Sequence, residues 1–153
     1  MLKKKFKNSI IDLIEKKKIT VGIVGLGYVG LPLAILFSKK GFHTFGFDVD
    51  TKKIKLIKNK VSYIERIPNK YISFLTKNKN NCFSSYKNII KCDFIIICVP
   101  TPLKKNNTPN LSHIKKTIKN IKKYLKIGQT IVLESTSYPG TTEEEIVKIL
   151  SNK

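Results

Sequence analysis

The feature of this sequence that most limits its possible folds is a glycine motif between two apolar segments. Residues 25–30 read Gly-Leu-Gly-Tyr-Val-Gly, a G-x-G-x-x-G pattern. The preceding segment, residues 20–25, is short and rich in β-branched side chains, which is typical of a buried strand. The following segment, residues 28–40, is long enough for a helix, and Gly41 follows at its end. The pattern therefore predicts a strand, a tight turn and a helix in direct succession.

Each glycine of this motif has a physical role if the turn binds a dinucleotide. Gly25 permits the tight turn, Gly27 lets the backbone approach a pyrophosphate, and Gly30 allows the helix to pack closely on the strand. The phosphates then lie at the helix N-terminus, where free N–H groups and the helix dipole favour negative charge. A glycine-rich turn without a ligand is the alternative for the motif taken alone. The candidate cofactor-binding loop consists of Gly25, Leu26, Gly27, Tyr28, Val29 and Gly30.

An acidic residue lies where a dinucleotide site requires one. Residues 42–47 predict a second strand, and Asp48 closes it about 20 residues after the glycine motif. A carboxylate at this place accepts hydrogen bonds from the adenosine ribose and repels the 2′-phosphate of NADP, so NAD is the favoured cofactor. Asp50 is the competing acid, but it lies past the strand and is more typical of a turn or a helix cap. Lys52 and Lys53 complicate the preference for NAD over NADP, because a basic side chain can also bind the 2′-phosphate of NADP.

The rest of the chain alternates between predicted strands and helices. Residues 93–99 form a continuous apolar run, which is typical of a strand covered on both faces of a parallel sheet. Further strands are expected at residues 82–84 and 129–133, and helices at 10–19, 51–58 with Thr51 as cap, 67–78, 86–91, 111–125 and 141–150. This alternation predicts an α/β fold, a doubly wound parallel sheet of the Rossmann type. Residues 1–18 are expected to form a leading amphipathic helix and residues 19–153 the NAD-binding domain.

Composition limits the class of protein. A chain of 153 residues suits one domain, and no apolar run reaches the roughly 18 residues of a membrane span. The basic start has no apolar stretch and no small-residue cleavage site, so we expect no secretory signal and a cytoplasmic location.

The formal net charge of +20 raises nucleic acid as a partner. Because the lysines are spread along the chain without interleaved aromatic residues, we expect neither a nucleic-acid nor a membrane partner, and a basic nucleic-acid binder stays as an alternative.

Two polar segments follow predicted strands at the edge of the sheet where open α/β folds bind ligands. They are residues 98–102, which include Thr101, and residues 134–142, which begin with Glu134 and include Thr136. Their hydroxyls and carboxylate are suited to contact a nicotinamide ribose or a substrate. Turn formation by proline, glycine, serine and threonine is the alternative. We expect no flexible linker, and the nearest candidate for one is a third polar segment, the loop at residues 103–110.

Other reactive side chains form no recognisable constellation. His43 and His113 are isolated, so a hydrolase triad is not supported. The cysteines, Cys82, Cys92 and Cys98, lack CxxC spacing and a histidine cluster, so no metal site is expected. Residues 143–145 are three glutamates, which suit a helix start because they complement the helix dipole.

The combined segments resemble the nucleotide-sugar 6-dehydrogenases, the UDP-glucose/GDP-mannose dehydrogenase family, in their N-terminal NAD-binding domain. The segments that carry the resemblance are VGIVGLGYVGLPLA at 21–34, GFDVD at 46–50, VSYIERI at 61–67, CVPTPL at 98–103 and ESTSYPGTTEE at 134–144. The SYIE element and the leading helix look most like the branch that acts on UDP-N-acetylhexosamines. The resemblance implies an NAD-dependent, two-step oxidation of a sugar C6 alcohol to a carboxylate.

The resemblance also implies roles for particular residues. Val29, Asp48, Lys53 and Thr101 are expected to contact NAD, and Thr136 is expected to lie near the nicotinamide and help position the reacting water, which makes it the candidate catalytic residue. The family's nucleophilic cysteine, catalytic lysine and most of its UDP-sugar site lie in segments that follow this domain.

Because the sequence ends at Lys153, we expect a chain truncated before the central and C-terminal domains, which binds NAD without oxidising a sugar. A UDP-sugar is the expected substrate of the complete enzyme, with a homo-oligomer or a complementing chain as possible assembly. A noncatalytic fragment that complements a partner chain and a remnant without function stay as alternatives.

Overall fold

A computed structural model describes residues 10–76 and 81–151 of the chain. Its centre is a sheet of five parallel strands in the order β3-β2-β1-β4-β5. The strands are β1 (Thr20–Val24), β2 (His43–Phe47), β3 (Cys82–Phe83), β4 (Phe94–Ile97) and β5 (Thr130–Leu133). Since β1 lies in the middle, it pairs with β2 on one side and with β4 on the other. The expected doubly wound parallel sheet is confirmed.

Helices cover both faces of this sheet. They are α1 (residues 10–15), α2 (Gly30–Lys39), α3 (Thr51–Lys58), α4 (Asn69–Leu75), α5 (Ser112–Lys122) and α6 (Lys148–Ser151), with a 3₁₀ helix at Tyr86–Lys91 and a π-helical turn at Thr142–Val147. Buried side chains of α2, α3 and α4 pack together with Val21 and Ile23 of β1. Buried side chains of α5 pack on the opposite face with Val24 and Ile95. Successive strand residues point to opposite faces, which explains why the central strands are apolar throughout.

One half-buried aspartate, Asp93, joins the starts of three strands. Asp93 accepts a hydrogen bond on its side chain from the Thr20 N–H at 2.8 Å, and its own N–H donates to the Thr20 carbonyl at 2.8 Å. The Asp93 carbonyl accepts from the Thr130 N–H at 2.9 Å. Asp93 therefore helps to fix the register of β1, β4 and β5, and with it the relative positions of their carboxyl ends.

The structure differs from the sequence expectations at several boundaries. Helix α2 begins at Gly30 rather than at residue 28, because Tyr28 and Val29 still belong to the glycine turn. Asp50, not Thr51, caps α3, since its carboxylate accepts the Lys52 N–H at 2.9 Å. The predicted helices 67–78 and 111–125 are shorter, and residues 77–78 of the first lie outside the described part of the chain.

Residues 103–110 and 141–150 have local structure that the sequence did not indicate. Residues 103–110 form a compact hairpin, with a bridge between Leu103 and Pro109 and a hydrogen bond from the Lys104 N–H to the Thr108 carbonyl at 2.8 Å. The helix expected at residues 141–150 begins with the wider π-helical turn and continues as α6. In residues 10–76 and 81–151, no helix is both long enough and apolar enough to cross a bilayer.

Candidate functional site

A cleft of about 750 Å³ opens at the carboxyl ends of β1 and β4. The chain leaves β1 toward one face of the sheet and β4 toward the other, so the two connections separate at this point. Such a switch point is where open α/β sheets bind ligands. Glycine-loop residues, the end of β2, the segments after β4 and β5 and one face of α5 line the cleft.

The three glycines of the loop have different surroundings. Gly25 has a φ of +92°, and a Cβ there would lie 2.8 Å from the Cys98 carbonyl oxygen. A Cβ on Gly30 would lie 1.8 Å from the Gly25 carbonyl oxygen, so only glycine fits. Gly27 differs, because a Cβ there would meet no atom within 4 Å. The loop is therefore packed tightly at both ends and open in its middle, on the side of the cleft.

The middle of the loop presents unpaired backbone donors. Helix α2 has no side-chain cap at its N-terminus. The N–H groups of Gly27, Tyr28 and Val29 find no acceptor within the described ranges of the chain. Helix N-termini carry partial positive charge and free N–H groups, and both favour an anion. The loop is therefore suited to hold a phosphate or pyrophosphate.

Asp48 lies at the end of β2 with only 8% of its surface exposed. Its Oδ2 accepts the Leu26 N–H at 2.8 Å, and its Oδ1 accepts the Asp50 N–H at 2.9 Å. Lys53 approaches Oδ2 at 3.4 Å. An ionised carboxylate offers about four acceptor positions, so one remains for a ligand. Asp48 consequently has a structural role that the sequence did not indicate: it ties the glycine loop to the end of β2.

Tyr63 also holds the glycine loop in place. Its hydroxyl donates to the Leu26 carbonyl, and the Lys53 ammonium lies 5.8 Å from the centre of its ring. Burial first, and then the negative charge of Asp48, raise the pKa of the Tyr63 hydroxyl. The hydroxyl is therefore a stable donor at neutral pH.

The two segments that follow β4 and β5 are joined to each other. The Ser135 hydroxyl donates to the Val99 carbonyl at 2.7 Å, and the Ser135 N–H donates to the Ile97 carbonyl at 3.1 Å. Thr101 and Thr136 both line the cleft. Further along the second segment, the Tyr138 hydroxyl donates to Glu145 at 3.2 Å, and Lys115 of α5 pairs with Glu145 at 2.7 Å. These contacts anchor the segment that carries Thr136.

Most of the sequence-predicted site residues meet in this cleft. Those that line it are Gly25, Gly27, Tyr28, Val29, Asp48, Lys53, Thr101 and Thr136. Leu26 and Gly30 do not line it: the Leu26 side chain is fully buried in the core, and Gly30 packs against Gly25. Among the described residues, no group of three His, Cys, Asp or Glu side chains is placed to hold a metal.

Sequence reasoning missed one wall of the cleft. Four side chains of α5 line it, namely His113, Lys116, Thr117 and Asn120. Their spacing of three, four and seven residues puts them on one helix face, and this spacing was the available signal. His113, which looks isolated in the sequence, thus has polar neighbours.

The three cysteine thiols are expected to resist labelling in the folded chain. Burial raises the pKa of Cys82 and Cys92 to about 12 and that of Cys98 to about 11, so almost no thiolate is present near pH 8. Titration with a chromogenic disulfide reagent should show slow reaction in native buffer and three thiols per chain in guanidinium chloride. Rapid native labelling of one equivalent would contradict this burial, and Cys98, which lines the cleft, is the residue to test then.

Known proteins are similar to this chain in both sequence and fold. Residues 18–153 match the model of the UDP-glucose/GDP-mannose dehydrogenase family, NAD binding domain. Protein CapL of Staphylococcus aureus is 40% identical over 131 residues, which cover 85% of this chain and 30% of CapL. UDP-N-acetyl-D-glucosamine 6-dehydrogenase of Salmonella typhi is 39% identical over 140 residues, or 88% of this chain and 31% of the relative.

A solved structure gives the same result. UDP-N-acetyl-mannosamine dehydrogenase Cap5O from Staphylococcus aureus superposes with a TM-score of 0.77 at 30% identity, over 87% of this chain and 32% of the other. The chain thus spans about a third of the length of these relatives. The match over residues 18–153 shows that this chain belongs to the UDP-glucose/GDP-mannose dehydrogenase family and carries its NAD binding domain.

Proposed function

We propose that the cleft binds NAD, with the pyrophosphate on the glycine loop and the adenosine ribose at Asp48. The observation that carries the proposal is the set of loop N–H groups that have no acceptor in the described part of the chain and open on the cleft. Gly27 leaves room for the close approach of phosphate oxygens, because no protein atom lies within 4 Å of its missing Cβ. The site thus offers backbone donors to the anion and a carboxylate to the neighbouring sugar.

The proposal assigns a role to each candidate residue. The six loop residues, Gly25, Leu26, Gly27, Tyr28, Val29 and Gly30, shape or contact the pyrophosphate site. Asp48 accepts a ribose hydroxyl at its one remaining position, and Lys53, which approaches the same carboxylate, helps to hold it in place. Thr101 and Thr136 lie along the segments after β4 and β5, where they are suited to contact the nicotinamide half. Thr136 is the candidate for positioning a reacting water.

In the complete protein, we propose that this domain serves a nucleotide-sugar 6-dehydrogenase. When bound, NAD would supply the hydride acceptor for the substrate, and the chain's own part would be to hold and orient the cofactor. A UDP-N-acetylhexosamine is the proposed substrate, because relatives at 36 to 39% identity are UDP-N-acetyl-D-glucosamine 6-dehydrogenases and UDP-N-acetyl-D-mannosamine dehydrogenases. The described residues supply the cofactor half of such a site. The sugar half is proposed to come from other segments or from a second chain in an oligomer.

The proposal includes a domain division and a location. Residues 1–18 are proposed as a leading segment and residues 19–153 as the NAD-binding domain, and the family match begins at residue 18. Of the expected leading helix, residues 10–15 form α1, and residues 1–9 lie outside the described part of the chain. The free, buried cysteines suit a reducing compartment, so we propose the cytoplasm.

Calorimetric titration with NAD and NADP tests the cofactor assignment. We expect saturable NAD binding and weaker NADP binding, because the ribose 2′-phosphate would meet the Asp48 carboxylate. The Gly27→Ala variant should lose NAD affinity by about tenfold or more, which corresponds to about 1.4 kcal/mol. Its thermal unfolding should match that of the parent chain, since the added methyl group touches no protein atom. A folded chain that binds neither nucleotide would contradict the proposed function.

A further inference from the structure

We propose that Tyr63 is a positioning residue of the cofactor site, which holds the Leu26 carbonyl and thereby turns the Gly27 N–H toward the pyrophosphate. The inference rests on the proposed function and adds to it a residue that does not line the cleft. Tyr63 lies 37 positions after Leu26 in the sequence, in the segment between α3 and α4. No feature of the glycine motif itself points to it.

Leu26 is held at both of its backbone polar groups by side chains. Its N–H donates to Asp48 Oδ2 at 2.8 Å, and its carbonyl accepts the Tyr63 hydroxyl. The Leu26 side chain is fully buried, so it cannot swing outward. Two side chains and the core therefore fix the residue that directly precedes Gly27.

The geometry of the peptide bond carries this constraint to Gly27. A trans peptide is planar, and its C=O and the following N–H point in opposite directions. A bond from Tyr63 to the Leu26 carbonyl on one side therefore aims the Gly27 N–H to the other side. Gly27 lines the cleft, and its N–H has no acceptor in residues 10–76 or 81–151. The donor thus points away from Tyr63, on the side that is open for a ligand.

Contacts around Lys53 complete the arrangement. The Lys53 ammonium lies 3.4 Å from Asp48 Oδ2 and 5.8 Å from the centre of the Tyr63 ring. Tyr63, Lys53, Asp48 and the Leu26 backbone therefore form a closed circuit of contacts. This circuit links the pyrophosphate donor to the ribose acceptor, so Tyr63 is expected to act on the ligand through the loop.

Removal of a single hydroxyl tests the inference. Tyr63→Phe keeps the ring and deletes the donor, and Tyr71→Phe is the matched control, because Tyr71 lies on α4 and makes ring contacts with Phe74, Lys39 and Lys70. Each variant is titrated with NAD, ADP and adenosine in one sucrose-containing buffer, which favours the folded state. Tyr63→Phe should weaken NAD and ADP by about tenfold and leave adenosine unchanged, because only the first two carry phosphates. Tyr71→Phe should bind all three as the parent chain does.

A general loosening of the fold would give a different pattern. Equal losses for adenosine and ADP, or a Tyr63→Phe chain that stays unfolded in sucrose, would make Tyr63 a residue of stability alone and overturn the inference. Unchanged NAD affinity in Tyr63→Phe would also overturn it, while the proposed function would stand. A folded parent chain that binds neither NAD nor ADP would contradict both the inference about Tyr63 and the proposed function. Replacement of Tyr63 by 4-aminophenylalanine, which retains a donor, should restore the affinity.

Discussion

Replacing Gly30 with alanine is expected to destabilise the folded chain severely. The new methyl group would lie 1.8 Å from the Gly25 carbonyl oxygen and 3.2 Å from the Cys98 side chain. Relief of this overlap requires β1 and α2 to separate at the centre of the domain. A loss of more than about 4 kcal/mol is expected, which is a large part of the stability of an ordinary domain. Circular dichroism during urea denaturation measures the effect.

The same substitution three residues earlier is the control. Gly27→Ala adds an identical methyl group to the same loop but meets no atom within 4 Å. Its urea midpoint should equal that of the parent chain, although its NAD affinity should fall. A Gly30→Ala chain with parental stability would show that β1 and α2 are farther apart than the structure has them.

Replacing Asp48 with alanine is expected to reduce both stability and NAD affinity. The Leu26 and Asp50 N–H groups lose their acceptor, and Lys53 loses its partner. Because an unsatisfied buried donor costs about 1–3 kcal/mol, we expect a loss of about 2–4 kcal/mol in the free energy of unfolding. NAD affinity should fall more than about tenfold, since the ribose acceptor is also gone. Urea denaturation and calorimetry measure the two losses separately.

The Asp50→Ala variant tests which of the two candidate acids, Asp48 or Asp50, contacts the ribose. Asp50 accepts the Lys52 N–H as the cap of α3, so its removal should cost about 1 kcal/mol of stability. Its effect on NAD affinity should be small compared with that of Asp48→Ala. If Asp50→Ala lowered the NAD affinity more than Asp48→Ala did, the ribose contact would be assigned to Asp50 instead. Asp48→Asn, which keeps one acceptor oxygen, should be less destabilising than Asp48→Ala.

The strands and the glycine loop could be predicted because their causes are local in the sequence. Strand β4 has no polar residue to place on a solvent face, so a sheet covered on both sides follows. Gly25, Gly27 and Gly30 follow a predicted strand and precede a predicted helix, and this context distinguishes the motif from an ordinary glycine-rich turn. Asp48 follows from its position at the end of β2.

The missed features depend on contacts between distant segments. The bond from Tyr63 to Leu26 spans 37 residues, and nothing near Tyr63 indicates its partner. The α5 wall of the cleft arises only when that helix packs beside β4, although its side-chain spacing was visible. Asp50 replaced Thr51 as the cap because the cap residue precedes the first helical residue, and helix boundaries are uncertain by a residue or two.

The central place of β1 also determines when a newly made chain can acquire its cofactor site. β1 pairs with β4, and the Thr20 N–H bonds to Asp93, which lies 73 residues later. At synthesis rates of about 5–20 residues per second, one edge of β1 waits about 4–15 s for its neighbour. Gly25 packs against the Cys98 carbonyl, so the turn gains its final support only after β4 has emerged from the ribosome. Nucleotide binding therefore follows the synthesis of β4 and cannot guide the earlier steps of folding.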